Sequence, residues 1–193
     1  MEYSDAQINV LIKKSKKGNR DAFNKLMEIY ETKVFNFAYR LSMNYEEASD
    51  ITVESFTRVF KSIKGFRHEA NFTSWCFTIV KNVYLDRLKI VKKNQHQSLD
   101  QDIYTNEGNI QREFSDEALT PEEEILENER QKEIIDIIDS LPPEQAVPIK
   151  MYHLQGLGYE DISKILNVPL GTVKSRINRA RIKLEEKFSE TDD

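Results

Sequence analysis

The chain has 193 residues, 39% of them hydrophobic, and a formal net charge of −5. That length allows one domain or two small ones, and no apolar run approaches the roughly 18 residues of a membrane span. The one cysteine, Cys76, excludes an internal disulfide. The N-terminal charges follow the apolar residues instead of preceding them, so no secretory signal is expected and a cytoplasmic protein is.

Helical periodicity dominates, with almost no strand signal. Ser4 with Gln7 resembles a capping box ahead of Ile8, Leu11 and Ile12, and Gly18 with Asn19 breaks that helix. A second helix is predicted from about Asp21 to Leu41, with Ala22, Leu26, Ile29, Tyr30, Phe37 and Leu41 inward. A third is predicted from about Glu46 to Ile63, with Ala48, Ile51, Thr52, Ser55, Val59 and Ile63 inward. Its outward face carries Asp50, Val53, Glu54 and Thr57. Gly65 opens a loop through Phe72, and a fourth helix is predicted from about Thr73 to Val91, using Trp75, Ile79, Val83 and Leu88 for the core. Cys76, between Trp75 and Phe77, is expected to be a buried thiol.

After Lys93 the pattern fails. Residues 94–121 are polar, acidic and short of apolar side chains, which predicts a partly disordered linker. Helical pattern resumes at Glu122 and continues to Leu141, Pro142 and Pro143 break it, and a second helical domain follows over 122–193. Pro148 must sit near the start of its helix or kink it. Between Tyr159 and Lys187 the chain reads as a helix-turn-helix. Ile162, Ile165 and Leu166 line the first helix, Asn167 ends it in a left-handed conformation, and Pro169 opens the second. In the second helix Val173, Ile177, Ala180, Leu184 and Phe188 form an apolar stripe. Ser175, Asn178, Arg179 and Ile182 point the other way, flanked by Lys174, Arg176, Arg181 and Lys183. Hydrogen-bonding groups at the centre of a helix and cations at its edges suit a DNA major groove.

The charge map agrees. About five cations face one Asp over Ile79–Asn94, and six face two Glu over Gly171–Lys187, whereas twelve carboxylates face three cations over Gln95–Glu133. An acidic connector between two basic segments fits two DNA-facing surfaces. Catalysis has little support: the three histidines are scattered, and no metal-ligand spacing, phosphate loop or nucleophile elbow is present. No catalytic residue, metal or cofactor is expected.

Three segments resemble a bacterial sigma factor of the extracytoplasmic-function (ECF) class. They are DITVESF (Asp50–Phe56), GFRHEANFTSWCFTIVKNVYLDRLK (Gly65–Lys89), and LPPEQ (Leu141–Gln145) followed by GLGYEDISKILNVPLGTVKSRINRARIKL. The resemblance implies an all-α protein of two small domains, 1–93 and 122–193. It implies docking of the first domain on the clamp helices of the β′ subunit of core RNA polymerase through Asp50, Val53, Glu54 and Thr57. Val53 departs from the family's usual Gln, which removes one amide. Phe66, Arg67, His68, Asn71, Asn82 and Asp86 would capture a flipped −10 base, with His68 where Gly is common. Thr172, Lys174, Ser175, Arg176, Asn178 and Arg179 would read the −35 duplex. Promoter DNA and an anti-sigma factor are the other implied partners, and no membrane insertion is implied. A stand-alone helix-turn-helix regulator is the alternative.

Overall fold

In the computed structural model, which describes residues 3–67, 71–97 and 132–191, the first local signals act as read. Ser4 and Gln7 form a reciprocal capping box at α1 (Asp5–Lys16), each satisfying an amide that the first turn cannot. Gly18 then turns the chain at φ 88, where a side chain would be strained. The Asn19 side chain caps α2 (Arg20–Ser42) by accepting from the Ala22 amide. Met43 ends α2 at φ 53, and Asn44 immediately caps α3 (Tyr45–Ser62). A 3-10 turn, Ile63–Gly65, and the loop lead to α4 (Phe72–Gln97). The helix therefore runs past its predicted end at Val91 into the first residues assigned to the linker.

α2 is the centre of this unit and packs against α1, α3 and α4, while α3 also packs against α4. Every position predicted inward on α3 is buried, including the hydroxyls of Thr52 and Ser55. Thr52 meets its own need by donating to the Ala48 carbonyl at 2.7 Å. On α2 Phe23, Met27, Val34 and Ala38 are buried beside the predicted positions, whereas Ile29, predicted inward, is only half-buried. On α4 it was rotated. The buried positions are Phe72, Cys76, Val80, Val83 and Tyr84, whereas Trp75, Ile79 and Leu88 are half-buried. Residues 72–84 are apolar on both sides of that line, so period alone does not select the inner face. Cys76 is buried, and burial pushes its thiol pKa far up, leaving an inert neutral group.

A second compact unit contains α5 (132–139), α6 (Pro143–His153) and α8 (Leu170–Thr191), with α7 at Tyr159–Leu166. The linker residues 98–121 and the predicted helical residues 122–131 lie outside the described residues. Ile138, Leu141, Ala146, Ile149 and Ala180 form the core, with Ile134 and Leu184 against it. Pro143 opens α6 where its missing amide costs nothing. Pro148 sits inside the same helix and is buried, so it is not confined to the start; it deprives the Glu144 carbonyl of its helical donor. Lys150, with a side chain 1% exposed, pairs with Asp139 at 2.5 Å and ties α6 to α5. Among the described residues there is no strand, and no helix is long and apolar enough to cross a membrane.

Candidate nucleic-acid and polymerase interfaces

Four expected site residues lie on the outer side of α3. Val53 is 65% exposed, an apolar side chain with no cover in its own unit. Thr57 is exposed, and its hydroxyl is spent on the Val53 carbonyl at 3.0 Å. Asp50 and Glu54 are not isolated carboxylates. Arg87 of α4 reaches Asp50 at 3.2 Å and Glu54 at 3.4 Å. Arg58 reaches Glu54 at 2.6 Å and Asp86 at 2.8 Å, and Lys89 lies 3.8 Å from Asp86. The Asp86 hydrogen bond raises the Arg58 pKa; burial opposes it, and the Glu54 pairing adds to the rise.

Three carboxylates expected to serve two surfaces thus share one network with three cations across α3 and α4. Periodicity showed the outward face of α3 as acidic, but the folded patch is close to neutral. Of these pairs Glu54–Arg58, at i and i+4, and Asp86–Lys89, at i and i+3, have a signature in the sequence. The arginines are half-exposed, so the network contributes little stability. Arg58→Ala is expected to lower unfolding free energy by about 0.5–1 kcal/mol, checked by urea denaturation. A loss above about 3 kcal/mol would mean that the network is a structural element.

The loop before α4 is held from both sides. Phe66 is 2% exposed, with its ring 5.2 Å from Phe72 and 5.0 Å from Trp75. Its carbonyl accepts from the Lys16 ammonium at 2.7 Å. The ring therefore anchors the loop and has no open face for a base, which corrects the expectation that Phe66 holds one directly. Asn71 accepts from the Thr73 amide at 2.9 Å and caps α4, leaving its amino group for a ligand. Arg67 is exposed, and His68 lies outside the described residues. Asn82 is exposed on α4 and accepts from the Lys81 ammonium at 2.7 Å. At 1.5 Å per residue, Asn71 and Asn82 stand about 16 Å apart along the helix. One base cannot touch both, so the loop and Asn82 face different nucleotides of any strand laid along α4.

The turn before α8 follows the predicted geometry. Asn167 takes φ 54, the Val168 amide returns to the Ser163 carbonyl at 3.2 Å, and the Pro169 carbonyl accepts from Thr172 and Val173. Val173, Ile177 and Ala180 are buried, and Leu184 and Phe188 are half-buried. Lys174, Ser175, Asn178, Arg179 and Ile182 are exposed, while Thr172 and Arg176 are half-buried. The Ser175 hydroxyl donates to the Thr172 carbonyl at 3.0 Å. Arg181 is half-buried, with its guanidinium 5.2 Å from the Tyr152 ring, and Tyr152 itself meets Tyr159 at 4.9 Å. Tyr152 carried no signal in the sequence, because its partner lies 29 residues away.

Comparison with known proteins decides the family. The profile described as Sigma-70 region 2 matches residues 26–93, and that described as Sigma-70, region 4 matches residues 131–184. The ECF RNA polymerase sigma factor SigW of Bacillus subtilis (strain 168) is 32% identical over 185 residues, 95% of this chain and 98% of that protein. This chain belongs to the ECF class of RNA polymerase sigma factors. The ECF RNA polymerase sigma-E factor of Haemophilus influenzae is also 32% identical, over 92% of this chain and 93% of the relative. The fold is shared with RpoE of Bartonella quintana, solved with the anti-sigma factor NepR, at TM-score 0.62 and 22% identity over 86% of this chain and 96% of that one. CnrH, solved with the cytosolic domain of CnrY, aligns at TM-score 0.60 and 17% identity over 95% and 98%. The α3–α4 network and the Asn82 site of this sigma factor both fall in the region 2 match, and the exposed face of α8 falls in region 4.

Proposed function

We propose that this sigma factor docks on core RNA polymerase through the outer face of α3, reads −10 bases with α4 and its loop, and reads the −35 duplex with α8. It acts by binding in the cytoplasm and carries out no chemistry itself. The observation that carries the reading is the division of α8: one side is built into the core, and the opposite side presents Ser175, Asn178 and Arg179 together. Such a surface meets base edges while Lys174 and Arg176 meet phosphate. Of the −10 set, Asn71, Arg67 and Asn82 offer groups to DNA, Phe66 supports the loop, and Asp86 is held within the ion-pair network. Residues 1–93 and 122–193 serve as the two functional domains, joined by the acidic linker, whose charge suits a nucleic-acid channel of the polymerase. An anti-sigma factor that masks both domains is the regulator the family implies; RpoE was solved in complex with an anti-sigma factor.

Docking is tested by reversing the charge of two α3 residues. Asp50→Lys with Glu54→Lys is expected to weaken polymerase binding about tenfold or more, since charge-assisted contacts are worth about 1.5–3 kcal/mol each. Because Arg58 and Arg87 already engage both carboxylates, the loss lies towards the low end of that range. Unchanged affinity of the folded double variant, measured by fluorescence anisotropy, would remove this face from the docking surface.

A further inference from the structure

Lys81 touches Asn82, the residue assigned to base contact. It precedes Asn82 on α4 and is only 8% exposed, and its ammonium lies 2.7 Å from Asn82 Oδ1. An ammonium has three donors and no acceptor. The carboxamide can therefore face it only through its oxygen, because the flipped amide would set donors against donors. An unrestrained asparagine offers either an acceptor or a pair of donors, and so discriminates bases poorly. Here one lone pair of the oxygen is taken and the oxygen is held towards Lys81, so Nδ2 with its two N–H groups is what an incoming base meets first. Burial pulls the Lys81 pKa down, and the nearby Asp86 charge opposes that and favours the ammonium. Asp86 is itself held by Arg58 at 2.8 Å.

We propose that Lys81 is a positioning residue that locks the Asn82 carboxamide as a hydrogen-bond donor, and thereby sets the base preference at the −10 position Asn82 reads. The proposal rests on the assignment of Asn82 to −10 reading. The selected base would present a carbonyl oxygen or ring nitrogen to Asn82, and an exocyclic amino group at that edge would be disfavoured, having to share Oδ1 with the Lys81 ammonium.

The test is promoter opening by full-length protein with core polymerase on a library randomised across the −10 element, with preference scored base by base. Asn82→Ala locates the position, where preference should vanish. Lys81→Met keeps the buried aliphatic stem but cannot donate. It should reduce preference at that same position from about fivefold–tenfold towards parity while other positions keep theirs. Asn82→Asp, an acceptor only, should shift preference at that position to bases bearing an amino group, and serves alone if Lys81→Met fails to fold. Wild-type preference in Lys81→Met, or an unshifted preference in Asn82→Asp, at a position that Asn82→Ala abolishes would overturn the role of Lys81. If Asn82→Ala changes no position, the assignment of Asn82 itself is what fails, and the proposal falls with it.

Discussion

Arg179→Ala should flatten sequence preference at one base pair of the −35 element, with a loss of about 1–3 kcal/mol of discrimination and little change at the other positions. Arg179 is exposed between Ser175 and Ile182 on the face of α8 opposite Val173, Ile177 and Ala180. A guanidinium there can meet two acceptors of a guanine edge at once. Arg181, only two residues on, should behave differently. Sequence spacing puts it among the phosphate-facing cations, but its guanidinium lies over the Tyr152 ring. Such a contact is worth about 0.5–1 kcal/mol. Arg181→Ala should therefore lower the melting temperature slightly and weaken all promoter sequences alike, with the salt dependence little altered. Anisotropy titrations on matched and mismatched −35 duplexes separate the two. Identical behaviour of the variants would show that the faces of α8 are wrongly divided.

Lys150→Ala should cost about 3 kcal/mol, enough to unfold much of a small helical unit. The side chain is fully buried and pairs with Asp139, whose own side chain is 43% exposed. The Ala variant loses both the ion pair and the packing of the four-carbon stem. Lys150→Met keeps most of that packing and removes the charge, so it should stay within about 1 kcal/mol of the native protein. Urea unfolding followed by circular dichroism should show the loss in the transition of the C-terminal unit, accompanied by loss of −35 binding. Equal destabilisation by Met and Ala would mean that charge, not shape, is what the site requires.

Local signals were legible wherever neighbouring residues settle the backbone. Ser4–Gln7, Gly18, Asn19, Asn167 and Pro169 each act within a few positions, and each takes the geometry its side chain dictates. Met43 shows the limit: it takes a left-handed φ although its type gives no hint, because Asn44 must start the next helix at once. The face of α8 was legible because one side is polar except for Ile182, whereas α4 was misread by one position because apolar residues occupy two of its sides. Long-range pairing was not legible. Arg58 and Arg87 neutralise Asp50, Glu54 and Asp86, and Lys16 holds the loop at Phe66, through contacts that span 28 to 50 residues. These pairings alter the surface more than the fold, since they turn an acidic face of α3 into a nearly neutral one and tie the loop at Phe66 to α1.

The central claim is that this chain gives RNA polymerase its promoter choice. Run-off transcription with core polymerase on a randomised promoter library, with and without the protein, tests it most directly. New start sites, with a shared pair of upstream elements, are expected only when polymerase and protein are both present, with no tight promoter binding by the protein alone. Tight promoter binding without polymerase, together with no new start site in its presence, would contradict the account and mark a stand-alone regulator.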